Sequence, residues 1–169
     1  MPTPIDWSRA FAKQAVADFD ARDWLCRSRS LPVCQQLHFL QMACEKLCKA
    51  YLCAAGSDPA DLQASHAYIA KVLPLIVRQQ ITRSAQQELG RYRWLMDSVK
   101  PLAREIELLA PSVTAGGKRR ANCEYPWEET NGTVRAPAEH RFPNLQVLDN
   151  RAGRALLKIA RTAAYDLRS

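Results

Sequence analysis

Apolar residues recur at steps of three and four over most of this chain, the period of helices that bury one face. The pattern is clearest between Gln36 and Cys53. There Leu37, Leu40, Cys44, Leu47, Cys48, Tyr51 and Leu52 draw one continuous stripe, long enough to wall a helical core. Gln41, Glu45 and Lys49 fall at i, i+4 and i+8 on a neighbouring stripe, with Glu before Lys, the order that suits the helix dipole. Ser30 offers a cap for this helix, Pro32 suits its first turn, and Gly56-Ser57-Asp58-Pro59 ends it.

The same period predicts four further helical stretches. Residues 5–27 carry Trp7, Phe11, Ala15 and Phe19 at steps of four, joined by Ala12, Val16 and Trp24. After the short loop 55–60 a helix from about Ser65 places Tyr68, Ile69, Val72, Leu73 and Ile76 on one side, with Pro74 as a kink. Residues 81–110 are again helical, with an interruption at Lys100-Pro101: Leu89, Trp94, Leu95 and Val99 serve the first piece, Leu102, Ile106, Leu109 and Ala110 the second. Arg91 and Arg93 point to solvent or to a partner. The last helix begins after Asn150 as cap and runs through Ala152, Ala155, Leu156, Ile159, Ala160, Ala163 and Leu167. Its other side is basic (Arg151, Arg154, Lys158, Arg161, Arg168) and reads as a solvated face. The expected fold is all-α: one domain over 1–169, an antiparallel bundle of four to five main helices.

One stretch breaks the pattern. Residues 111–149 show neither helical nor strand period, and loops of that length are functional or disordered more often than not. The stretch begins with Gly116-Gly117-Lys118-Arg119-Arg120 and then turns aromatic and proline-rich: Tyr125, Pro126, Trp127, Pro137, Phe142, Pro143. Aromatic side chains of this number are expected to bury, so the second half is read as an ordered flap on the bundle.

Hydrophobic content of 47% with 24% charged residues is globular composition, and no apolar run approaches the 18 or so residues of a membrane span. The opening residues lack a basic end followed by an apolar core, so the chain reads as cytoplasmic, with no membrane partner. The six cysteines include no Cys-x-x-Cys pair, and Cys44, Cys48 and Cys53 interleave with leucines, which reads as core packing. No acidic or histidine cluster stands at ligand spacing, so no metal and no cofactor are expected. The formal charge of +7 is uneven: residues 1–80 hold nine basic and seven acidic side chains, residues 81–169 fifteen and ten. A basic half suits an anionic partner such as RNA and equally suits an ordinary surface.

The string LQMACEKLCKAYL resembles the second-helix signature of HEPN domains (higher eukaryote and prokaryote nucleotide-binding), in which a Gln precedes an Ala-x-Glu-Lys-x-x-Lys-Ala run. Ala17-Asp18-Phe19-Asp20-Ala21 is similar to that family's first helix, and Ser65-His66 with Ile69 and Leu73 to the next; together these cover roughly residues 6–75. The string EYPWE, with Gly132-Thr133-Val134, Pro137 and Phe142, resembles an extension found in one group of bacterial HEPN-like proteins. The resemblance implies either an RNA-directed module of toxin or antiviral type, some of them metal-independent ribonucleases, or a non-catalytic module that binds a protein or nucleotide partner. It also implies a homodimer and a possible cognate nucleotidyltransferase or antitoxin.

Family ribonucleases carry an Arg, four to six residues, then a His, and Arg135-Ala-Pro-Ala-Glu-His140 has that spacing. By the resemblance, His140 would act as general base or acid, Arg135 would hold the phosphate, and two copies would share one site. Lys118, Arg119, Arg120 and Arg141 are the candidate RNA contacts. The family places its motif at the start of the last helix, whereas here Pro137 and Phe142-Pro143 precede that helix, which leaves a structural role for Arg135 and His140 open. His38 reads as a boundary residue, and His66 as a hydrogen-bonding group at a helix start.

Overall fold

The computed structural model describes residues 2–28, 30–85, 92–114 and 121–169. Helix α1 (Pro4–Arg27) opens with a reciprocal cap: the Asp6 amide donates to Thr3 Oγ1 at 3.2 Å and the Thr3 amide to the Asp6 carboxylate at 2.8 Å. Two otherwise orphaned donors are satisfied, and a negative charge meets the positive end of the helix. Ala12, Ala15, Val16 and Phe19 are buried as predicted, while Trp7 and Phe11 are half-buried. Trp24 departs from the expectation. It is 62% exposed, because it stands one turn beyond exposed Asp20 on the outward side of the helix.

Helix α2 (Val33–Ala54) buries Leu37, Leu40, Cys44, Leu47 and Cys48 along the predicted stripe. Its start differs: Pro32 takes the N-cap position without any side-chain cap bond, and Ser30 Oγ lies against Ser28 Oγ at 3.1 Å instead. Two bonds show that α1 and α2 run antiparallel. Ser8 Oγ donates to the Ala50 carbonyl at 2.8 Å, and the Cys26 thiol to Gln36 Oε1 at 3.3 Å.

The loop expected after α2 contains a short helix, α3 (Pro59–Gln63), capped by Asp58 through the Ala60 amide at 2.8 Å. Helix α4 (Ile69–Ala85) starts one turn later than Ser65, whose hydroxyl instead accepts from the Ala67 amide at 3.3 Å, and continues through Pro74. Helix α5 (Arg93–Glu107) also passes through its proline, Pro101, where the sequence predicts an interruption. Leu95 and Val99 before it and Leu102, Ala103 and Ile106 after it are all buried on one face. Burying five such side chains outweighs the ~3 kcal/mol that proline costs inside a helix. The Ala70 amide donates to Glu107 Oε1 at 3.1 Å, which ties the start of α4 to the end of α5.

A single turn, α6 (Pro111–Thr114), precedes the flap. Helix α7 (Arg151–Arg168) is capped as predicted, with Asn150 Oδ1 accepting from the Gly153 amide at 2.9 Å. Residues of α1, α2, α4, α5 and α7 share one continuous core. The fold is therefore all-α, a helical bundle with five main helices among the described residues. Among the described residues no helix is long and apolar enough to cross a membrane.

Candidate functional site

The flap is ordered over 121–149, and single-residue devices hold it in place of a repeating pattern. Buried Asn122 accepts at Oδ1 from the amides of Glu124 (2.9 Å) and Tyr125 (2.7 Å) and donates from Nδ2 to the Tyr125 carbonyl (3.1 Å). These bonds satisfy a turn that no helix or sheet supports. Removing them through Asn122→Ala strands several backbone groups, with an expected loss of roughly 1–3 kcal/mol. Hydrogen exchange at Glu124 and Tyr125 should accelerate in that variant, and unchanged protection would show that the turn is held by other means.

Beyond the turn, strand β1 (Trp127–Glu128) pairs antiparallel with β2 (Val134–Arg135), setting Trp127 opposite Arg135. Gly132, at φ 82°, supplies the left-handed residue of the connecting turn. The Arg135 and Trp127 side chains share one face of this ribbon, and so does Glu129, two residues on from Trp127. Arg135 Nε is accordingly held by Glu129 Oε1 at 3.1 Å. A three-residue 3-10 turn (Pro137–Glu139) then delivers His140. Its ring meets Trp127 at 5.1 Å and Phe142 at 4.7 Å, both edge-on. Phe142 is buried, and a longer 3-10 segment (Pro143–Asp149) drives Leu145 and Leu148 into the core beneath. Tyr125, in contrast, is exposed.

Arg135 and His140 thus adjoin the same tryptophan. Arg141 is exposed and forms no ion pair among the described residues. Lys118, Arg119 and Arg120 lie outside the described residues. Over 121–149 the sequence has five acidic side chains (Glu124, Glu128, Glu129, Glu139, Asp149) against Arg135 and Arg141. Lys118, Arg119 and Arg120, just before this segment, bring the whole stretch 111–149 to five basic and five acidic side chains.

The basic side of α7 is more engaged than a solvated face. Arg161 pairs with both Asp20 and Asp23 of α1, and Arg154 donates to the Asp149 carbonyl. The Arg151 guanidinium stacks 4.5 Å from the Trp94 ring and that of Arg168 4.2 Å from Tyr165. Arg93 is exposed as predicted, and Arg91 lies outside the described residues.

The most polar part of the core lies elsewhere. Glu45 and Lys49, each 6% exposed in their side chains, form an ion pair at 2.7 Å. Gln41 Nε2 donates to the other Glu45 oxygen at 2.9 Å, and His66 Nδ1 stands 3.0 Å from both. The spacing 41, 45, 49 was legible as a surface stripe. Its burial was not, because the partner that closes it comes from the turn after α3. His66 therefore bonds to Glu45 and not to a helix start. His38 sits at the boundary, 3.6 Å from Glu124. Five cysteines are buried and Cys26 is exposed. Burial pushes the Cys44 thiol up to about 12 and those of Cys48 and Cys123 well above their ordinary value, so they remain protonated packing groups.

No protein-family model, curated protein or solved structure matches the chain. The flap offers one aromatic and imidazole contact seam, beside which the Arg135 guanidinium is partnered by Glu129.

Proposed function

We propose that this chain is an HEPN-like binding module that engages its partner without cutting RNA, the non-catalytic of the two readings its sequence leaves open. The engagement of both candidate catalytic side chains carries this reading. Glu129 occupies Arg135 Nε, and Trp127 and Phe142 close on the His140 ring. A phosphate approaching Arg135 meets a carboxylate held 3.1 Å from its Nε, which offsets part of the attraction. The His140 ring packs edge-on against both Trp127 and Phe142, a placement that suits holding the hairpin to the bundle. The resemblance of the 40–52 run to HEPN domains supports the bundle as the carrier of the binding surface.

One observation favours the second reading, a homodimeric RNA-directed toxin or antiviral ribonuclease kept beside a cognate nucleotidyltransferase or antitoxin. Arg135 and His140 both adjoin Trp127, so a two-fold pairing of copies through this face would bring two such pairs together. Incubation with single-stranded RNA in EDTA separates the readings. The expected result is intact RNA with wild type, and a His140→Ala variant destabilised by roughly 1–3 kcal/mol through lost ring contacts. Cleavage by wild type that disappears in His140→Ala, with the melt unchanged, would establish the ribonuclease instead.

A further inference from the structure

The groove between α4 and α7 holds two apolar recesses. One lies between α4, α5 and α7, walled by Ile81, Leu95, Ile159 and the Tyr92 ring just ahead of α5. The other lies where the end of α2 meets the same pair, walled by Tyr51, Ile76, Ala163 and Leu167. Ile81 meets the first part of α7 and Ile76 its second part, so the two helices run antiparallel along the groove. Gln80 borders both recesses and fixes its side chain by donating from Nε2 to Asp166 Oδ2 at 3.0 Å. Tyr51, Tyr92, Ile159 and Leu167 pack on the core yet stay half-buried, which leaves a band of apolar surface in water. Such a band, rimmed by polar side chains, marks an interaction surface. This rim is basic. Lys158 and Arg83, both exposed, border the recesses, and among the described residues no acidic side chain lines either one. Lys158 is also the one basic side chain of α7 without a partner among the described residues, since Arg151, Arg154, Arg161 and Arg168 are each engaged.

We propose that this groove takes an amphipathic helix of an acidic partner protein, seated by its apolar face. The recesses follow one another along α7, at 155–162 and 163–167, so their centres stand about 10 Å apart at 1.5 Å per residue. A helix offers that interval between positions i and i+7, and one lying along the groove drops an apolar side chain into each recess. Charge decides among the occupants. Carboxylates beside those anchors gain from Lys158 and Arg83, whereas a second copy docked through the same face sets like charges against each other. The whole chain, with 24 basic and 17 acidic side chains, also draws an acidic partner toward it. The inference rests on the binding-module reading and names the chemistry of the partner.

The test is a titration of the full isotope-labelled chain with two stapled helical peptides of about 14 residues, each with leucines at i and i+7. One peptide carries glutamates at its other positions and the second carries lysines; polyglutamate serves as a probe of charge alone. The acidic peptide should move the amide signals of Gln80, Ile159 and Ala163, and the other two probes should not. Thr162 is exposed and borders the first recess. Thr162→Arg sets a long side chain over that recess while adding positive charge, and should weaken the acidic peptide by about tenfold or more with an unchanged melt. Lys158→Glu with Arg83→Glu should turn the preference toward the lysine peptide. No signal movement with the acidic peptide, equal movement with polyglutamate, or wild-type affinity in Thr162→Arg overturns the proposal. Concentration-dependent movement of the same signals without peptide identifies a second copy as the occupant and overturns it too. Failure of the binding-module reading shows separately, as RNA cleavage, because none of these three residues belongs to the flap.

Discussion

Glu45→Ala should destabilise the chain by roughly 3–5 kcal/mol, because it leaves the Lys49 ammonium buried without its counter-charge. Three donors converge on this carboxylate, from Gln41, Lys49 and His66, and all three lose their acceptor at once. Replacing both members of the pair is expected to be milder. Glu45→Leu with Lys49→Met removes the charges together and should recover much of the loss, since apolar groups of similar volume often serve as well as a buried ion pair. Thermal melts of the single and double variants measure this directly. A single variant as stable as wild type would mean that the pair is hydrated and not buried.

The same carboxylate sets a pH dependence. Burial pushes the Glu45 carboxyl up, and hydrogen bonds from Lys49, Gln41 and His66 more than offset that, leaving it below its ordinary value of 4.5. A depressed carboxyl binds its proton more readily in the unfolded chain than in the folded one. Its contribution is therefore present above about pH 4.5 and is lost as pH falls through the lower folded value. The acid limb of the stability curve should be shallower in Glu45→Leu/Lys49→Met than in wild type.

What could be read from the sequence follows from how each element is held. Helices α1, α2 and α7 each bury one regular stripe, so spacing alone located them, even to the Asn150 cap. Pro101 was read by its local cost, and tertiary burial on both sides overrode that cost. The polar stripe Gln41–Glu45–Lys49 was visible, but a charged stripe is solvated in most helices, and nothing local announces that His66 folds over it. The flap had no period to read because Asn122, Gly132 and Phe142 hold it one residue at a time. Arg135 and His140 were singled out because their spacing matches the motif of the family the chain resembles. Glu129 was missed because its approach to Arg135 depends on strands only two residues long.

Gly153→Ala should destabilise by roughly 3 kcal/mol or more, against the direction that helix propensity predicts. Inside a helix, alanine is normally better than glycine by about 1 kcal/mol, so a gain would be the default expectation for the first turn of α7. The constraint is proximity and not backbone angle. A Cβ on Gly153 would stand 2.3 Å from Leu148 Cα and 2.4 Å from the carbonyl oxygens of Leu148 and Val147. These are backbone atoms, so no side chain can swing aside to make room. Either α7 shifts or the Pro143–Asp149 segment lifts, and the segment carries Leu145 and Leu148, with Phe142 just ahead of it, into the core. Lifting is the cheaper movement, because α7 is held in the core along Leu156, Ala160, Ala163 and Ala164 while the segment has no strand or long helix behind it. The variant should therefore lose exchange protection first over 143–149, ahead of α2. A melting temperature equal to or above wild type, with those amides still protected, would show that the flap does not rest on α7 as closely as described.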